Sequence, residues 1–147
     1  MVLAESSGYV TKEVLHNDFV QVSYCEADSL LLIKWKRQVD LEERKEVFLW
    51  GHGFSKANGV KNWLIDDEEI FIITTKEREW IQDTWTKMAA EAGLEKIAVY
   101  LPEYFFNSII TLTDFTQQAQ KNYQRHGTTQ HEVFTDYEIA LTWIRTA

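Results

Sequence analysis

The stretch 61–102 constrains the fold most, because it reads as one uninterrupted β-α-β unit. A short apolar run, Asn62-Trp63-Leu64-Ile65, leads into an acidic loop that begins at Asp66. Trp80, Ile81, Trp85, Met88, Ala89 and Ala92 then recur at helical spacing, and Gly93 ends the series. A second apolar run, Ile97-Ala98-Val99-Tyr100-Leu101, stops against Pro102. Two strands joined through a helix run parallel in one sheet, with the helix laid across it. An α/β fold is therefore predicted before any chemistry is considered.

Upstream, residues 9–15, 19–24 and 30–35 read as two or three strands, the first only weakly alternating. Asn17-Asp18 and Ala27-Asp28-Ser29 are turn formers between them, which predicts an antiparallel meander. A helix is expected over 40–57, broken by Asn58-Gly59, with Val47, Trp50, Phe54 and Ala57 as its stripe and Leu41 and Phe48 beside it. Gly51 and Gly53 each lower helix propensity by ~1 kcal/mol, a cost that close approach to the sheet would justify. Downstream, 103–112 has no definite form, 113–125 reads as a helix ending near Gly127, and 132–134 as a short strand. Tyr137, Ala140, Leu141 and Ile144 mark a last helix.

Asp40, Thr74 and Thr135 each precede a Glu by three positions, at Glu43, Glu77 and Glu138. In such a capping box the first side chain accepts a backbone N–H while the acid reaches back to another. The expected order is β-β-β-α-β-α-β-α-β-α: a single mixed sheet whose N-terminal strands are antiparallel, backed by helices. With 147 residues and neither repeat nor linker, one domain over 1–147 is expected, residues 1–8 being a flexible N-terminus.

Several function classes are disfavoured. Fifteen Lys plus Arg against twenty-three Asp plus Glu give a net charge of -8, which phosphate backbones repel. Lys34, Lys36 and Arg37 read as outward charges on a strand, so no nucleic-acid partner is expected. No apolar run approaches the ~20 residues of a membrane span, and the N-terminus lacks a secretory signal. Cys25 is the lone cysteine, which fits a cytoplasmic location and a buried filler role. No Gly-rich phosphate loop, dinucleotide fingerprint, paired-Cys motif or nucleophile elbow is present, and the four histidines are scattered. No cofactor, metal or catalytic set is expected.

Three places remain as candidates. Asp66 heads the run Asp66-Asp67-Glu68-Glu69, read as a solvated loop, and lies where strand ends in open α/β sheets face the ligand crevice. An enzyme built on Asp66 would need convergent polar partners. Thr74 and Thr75 stand at a helix start, where N–H groups and the dipole favour an anion and where phosphorylation would reset a binding surface. Plain capping by Thr74 is the alternative. Tyr104, Phe105 and Phe106 are consecutive aromatics that cannot all point inward from one regular element. They suit an apolar pocket, a subunit interface, or burial beneath the next helix.

Taken in order, Leu32-Ile33-Lys34-Trp35, Asn62-Trp63-Leu64-Ile65-Asp66, Glu79-Trp80-Ile81, the run 92–99 with Leu101-Pro102, and Phe134 with Ala140-Leu141-Thr142-Trp143-Ile144 resemble small bacterial SpoIIAA-like proteins of the STAS fold. These are linked to the CRAL–TRIO lipid-binding fold. The resemblance spans most of the chain from Phe19 onward. It implies a non-catalytic regulatory module, switched by phosphorylation of a Ser or Thr at the start of the helix after a central strand. Where that family has a segment like Asp-Ser-Ser-Gly, this chain reads Ile73-Thr74-Thr75-Lys76, keeping two hydroxyls without the Asp and Gly. The lipid-binding relatives imply instead an apolar cavity between sheet and helices. The expectation is a regulatory or protein-interaction module centred on residues 66–75, with an unknown protein partner. The alternatives are an apolar, lipid-like ligand near Tyr104, Phe105 and Phe106, and an enzyme using Asp66. The aromatic content also leaves room for a homodimer.

Overall fold

The computed structural model describes residues 10–102 and 109–146, and the side chains of all of these except 109–116. The expectations for residues 1–8 and for Tyr104, Phe105 and Phe106 lie outside the described residues.

Six strands form one mixed sheet in the order β1-β2-β3-β4-β5-β6: Lys12–His16, Val20–Cys25, Leu30–Trp35, Asn62–Asp66, Lys96–Tyr100 and Gln130–Phe134. The first two pairings are antiparallel and the last three parallel. This is the α/β architecture that the periodicity predicts. Ser29 takes a left-handed turn (φ 51°) between β2 and β3, after the short helical turn Glu26–Asp28.

Four helices cover the sheet. α1 spans Leu41–Asn58. α2 is a continuous rod made of Thr75–Trp80, a wide π turn over Ile81–Trp85, and Thr86–Glu91. α3 spans Ile109–His126, starting four residues before the expected 113, and α4 spans Tyr137–Arg145. The extra residue of the π turn lets consecutive Trp85 and Thr86 both face inward, each fully buried. Among the described residues, no helix is long and apolar enough to cross a membrane.

Helices α1, α2 and α3 all share one core with the sheet, built around Trp35, Phe48, Trp63, Trp85, Ile97 and Tyr123. Among the described residues, α4 alone packs on the other face, against Leu30, Leu64 and Ala98. Crossovers of one hand, repeated in one direction along a sheet, return each helix to the same side. Period-two alternation sorts the strands accordingly: Trp63 and Ile65 face the three helices, while Leu64 faces α4.

Two sequence expectations shift. The buried face of α1 is Arg44, Val47, Phe48, Gly51 and Ser55, whereas Trp50 and Phe54 are half-buried and Ala57 is exposed. The stripe rotates because the Trp63 indole lies over Gly51, where a Cβ would meet the ring at 2.7 Å, and donates to Ser55 Oγ at 2.9 Å. Gly51 thus serves close approach, but Gly53 does not: a Cβ there would meet nothing. The capping boxes at Asp40–Glu43 and Thr74–Glu77 are present, whereas α4 is capped by Asp136, accepting from Ile139 N at 3.0 Å, and not by Thr135.

Candidate functional site

The carboxyl ends of β3, β4 and β5 hold most of the polar chemistry. Parallel register aligns Lys34, Asp66, Tyr100 and Phe134 in one row across four strands. Asp66 is buried, contrary to the expected solvated loop, and so is Asp67. One oxygen of Asp66 meets Lys34 Nζ at 3.3 Å, and the other accepts from Glu68 N at 3.0 Å. Asp66 is also near enough to Tyr137 of α4 for its charge to add to the burial that pushes that phenol up. Asp66 therefore has polar neighbours, but one is an ion pair whose Lys34 side chain is half exposed. The parallel strands follow one another in chain order, so the sheet lacks the reversal that opens a crevice in doubly wound folds. The expected ligand crevice at Asp66 has no topological basis.

Asp67, one residue on, belongs to a second cluster on the three-helix side. Arg44 of α1 and Glu77 of α2 form a fully buried ion pair, Nε to Oε2 at 2.8 Å. The Arg44 guanidinium lies over the Trp35 and Phe48 rings, 5.3 and 5.9 Å from their centroids. Burial pushes the Asp67 carboxyl up to about 6; Arg44 opposes this, whereas Asp66 and Glu77 add to it. The Trp35 indole N–H is close enough to favour the charged carboxylate, yet it closes no hydrogen bond of good geometry. Asp67 Oδ1 and Arg44 Nη2 are buried without a partner. Perturbed, buried ionisable groups of this kind concentrate at functional sites, though structural networks also produce them.

Glu77 ties this cluster to the helix start. Its Oε1 accepts from Thr74 N at 3.1 Å and from Thr74 Oγ1 at 3.0 Å, and Thr74 Oγ1 accepts from Glu77 N at 3.2 Å. The Thr74 hydroxyl is thus used in both directions by the cap, as the capping alternative holds. Thr75, the first helical residue, is exposed.

Between the two anchors, residues 68–73 form an irregular loop. Ile70 N donates to Asp67 O at 2.9 Å, and Asp67 N to Tyr100 O at 2.9 Å. Gln38 braces the loop: its Oε1 accepts from Phe71 N at 2.8 Å and Ile72 N at 3.2 Å, and its Nε2 donates to Ile72 O at 2.8 Å. Phe71 and Ile72 are each 65% exposed, while Ile70 is buried. The sequence reading above does not single out this pair. Its signal was the run Ile70-Phe71-Ile72-Ile73 inside a loop, where four consecutive apolar residues cannot all turn inward. Arg44 and Glu77 were legible too, as charges at core-facing positions, four residues before Phe48 and Ile81.

Lys34 alone of the basic trio lies on a strand; Lys36 and Arg37 follow the end of β3. Lys36 donates to Asn17 O at 2.9 Å, and Arg37 holds Glu43 in a bidentate pair at 2.8 and 3.1 Å. No group of three or more His, Cys, Asp or Glu suited to a metal occurs among the described residues. A hollow under α4, lined by Cys25, Leu30, Leu32 and Leu141 among others, holds about 10 Å³, the space of a single water. It gives no support to a lipid-sized ligand on that face.

No family model matches the chain, and neither does any curated protein. Among solved structures it is similar to one described as the NMR structure of the protein TM1081, with a TM-score of 0.55 and 12% identity. The match covers 92% of this chain and 95% of that one. At that identity the likeness concerns the fold alone.

Proposed function

We propose that this chain is a non-catalytic, SpoIIAA-like interaction module, and that residues 66–75 are its docking surface for a protein partner. The observation that carries the reading is the adjacent pair Phe71 and Ile72, two large apolar side chains each 65% exposed on a loop braced at three points. Water contact on such a pair is unfavourable, and covering it in a complex would contribute about 2–4 kcal/mol. The brace matters equally, because a loop already held in shape loses little entropy on docking. Thr75 lies at the edge of this surface, where added charge alters it without breaking the Thr74–Glu77 cap.

The test is co-purification from the native cell with the wild-type chain, Phe71→Ser with Ile72→Ser, and Thr75→Glu. The reading expects a protein retained by the wild type and lost from the double variant, with Thr75→Glu changing the amount captured. An identical set of captured proteins for all three, with circular dichroism unchanged, removes it.

A further inference from the structure

The cluster beneath the docking loop is unbalanced. Asp67 and Glu77 are buried carboxylates, and the only buried guanidinium between them among the described residues, Arg44, spends its Nε on Glu77. Asp67 Oδ1 and Arg44 Nη2 are left buried and unmatched. The charged groups that bear on Asp67 are Asp66 at the end of β4, Arg44 of α1 and Glu77 of α2, two negative and one positive. An ionised Asp67 thus leaves an uncompensated negative charge in a buried layer.

The same residue is the hinge of the loop. Its carbonyl accepts from Ile70 and its N–H donates to Tyr100, while the other end of the loop is held by Thr74, Glu77 and Arg44. Turning the backbone of residue 67 out to water would hydrate that charge, and the Ile70 bond to its carbonyl would be lost with it. We propose that residues 67–74 are a proton-operated latch: a proton taken up by Asp67 holds the loop closed, and its loss loosens the platform that presents Phe71 and Ile72. The latch rests on the docking surface proposed above but concerns the free protein, so it can be tested without a partner.

The direction follows from the closed-state carboxyl standing at about 6. An opened, solvated Asp67 has the ordinary carboxylate value of about 3.9, so the opening equilibrium rises with pH between the two, by up to about 100-fold. The experiment is a carbon-detected NMR titration of aspartate carboxyls, with amide exchange of Ile70, Phe71 and Ile72 corrected for intrinsic rate, from pH 4.5 to 7.5. The Asp67 carboxyl is expected to titrate near 6, and the three amides to lose protection steadily as pH rises from 4.5 and to level off above about 6, while core amides of β4 do not change. Asp67→Asn should keep the loop protected at all pH values. Glu77→Gln retains a capping-competent side chain and frees Arg44, so it should move the Asp67 midpoint down. An Asp67 titrating near 4, or amide protection in the wild type that ignores its titration, overturns the latch. Loss of partner capture by the Phe71 and Ile72 variants would stand either way.

Discussion

Gly51 and Gly53 lie two residues apart on α1, yet the same substitution should move stability in opposite directions. A Cβ at Gly51 would sit 2.7 Å from the Trp63 ring, which is fully buried, bonded to Ser55 and packed on Trp85 at 4.7 Å between centroids. That ring cannot give, so Gly51→Ala should cost about 1–3 kcal/mol despite the better helix former. Gly53→Ala meets nothing and should gain about 0.5–1 kcal/mol. Urea denaturation of both variants checks the pair. Two buried titratable residues also oppose each other. Burial holds His131, stacked on Tyr123, down to about 4, and holds Asp67 up to about 6. The His131 contribution is present above its ordinary value of about 6.5 and is lost as pH falls to about 4. The Asp67 contribution is present below about 4 and is lost as pH rises through about 6. Each amounts to about 3 kcal/mol at most, so they largely cancel between pH 4 and 7. Relative to the parent, Asp67→Asn should therefore lose stability on acidification and His131→Phe should gain it, read from urea midpoints at pH 4.5 and 7.

At the scale of elements, the ends of helices decide where the chain turns. The Thr135–Glu138 spacing predicts a capping box, but Asp136, one residue later, caps α4. A carboxylate accepts an N–H as well as a hydroxyl does and favours the positive end of the dipole, so the following residue won the position. Asp136→Ala should cost about 1 kcal/mol and Thr135→Ala under about 0.5, by thermal or urea unfolding. The far end of α4 is closed by a cation from the sheet: Lys96 Nζ, mostly buried, donates to the carbonyls of Trp143 and Thr146. That contact pins α4 to β5, and its sign matches the negative helix end. These cross-element bonds leave no mark in local spacing. Lys96 opens an otherwise apolar strand, and nothing in its neighbours tells that the end of another helix will reach it.

For the whole molecule, Arg44 ties α1 to α2, and its charge bears on Asp67 just past the end of β4. Arg44→Met should cost about 3–5 kcal/mol, because it strands two buried carboxylates without their cation. Adding Glu77→Gln, which keeps the cap, should restore part of that loss, and a double-mutant cycle in urea measures the coupling. The sequence by itself determined the class of fold, since runs with a period of two or 3.6, their order, and the turn formers between them are local properties of the chain. It likewise located the helix start at Thr74, and it placed the end of β4 one residue early, at Ile65. Only the tertiary structure decided which polar residues are buried and against what. Asp67 meets Arg44 and Glu77 because parallel register and three helices on one face bring residues 67, 44 and 77 together. Phe71 and Ile72 face water because Gln38, more than thirty residues away in the chain, holds their backbone there. Charge pairing and loop bracing are non-local, so they exist only once the sheet has closed its order.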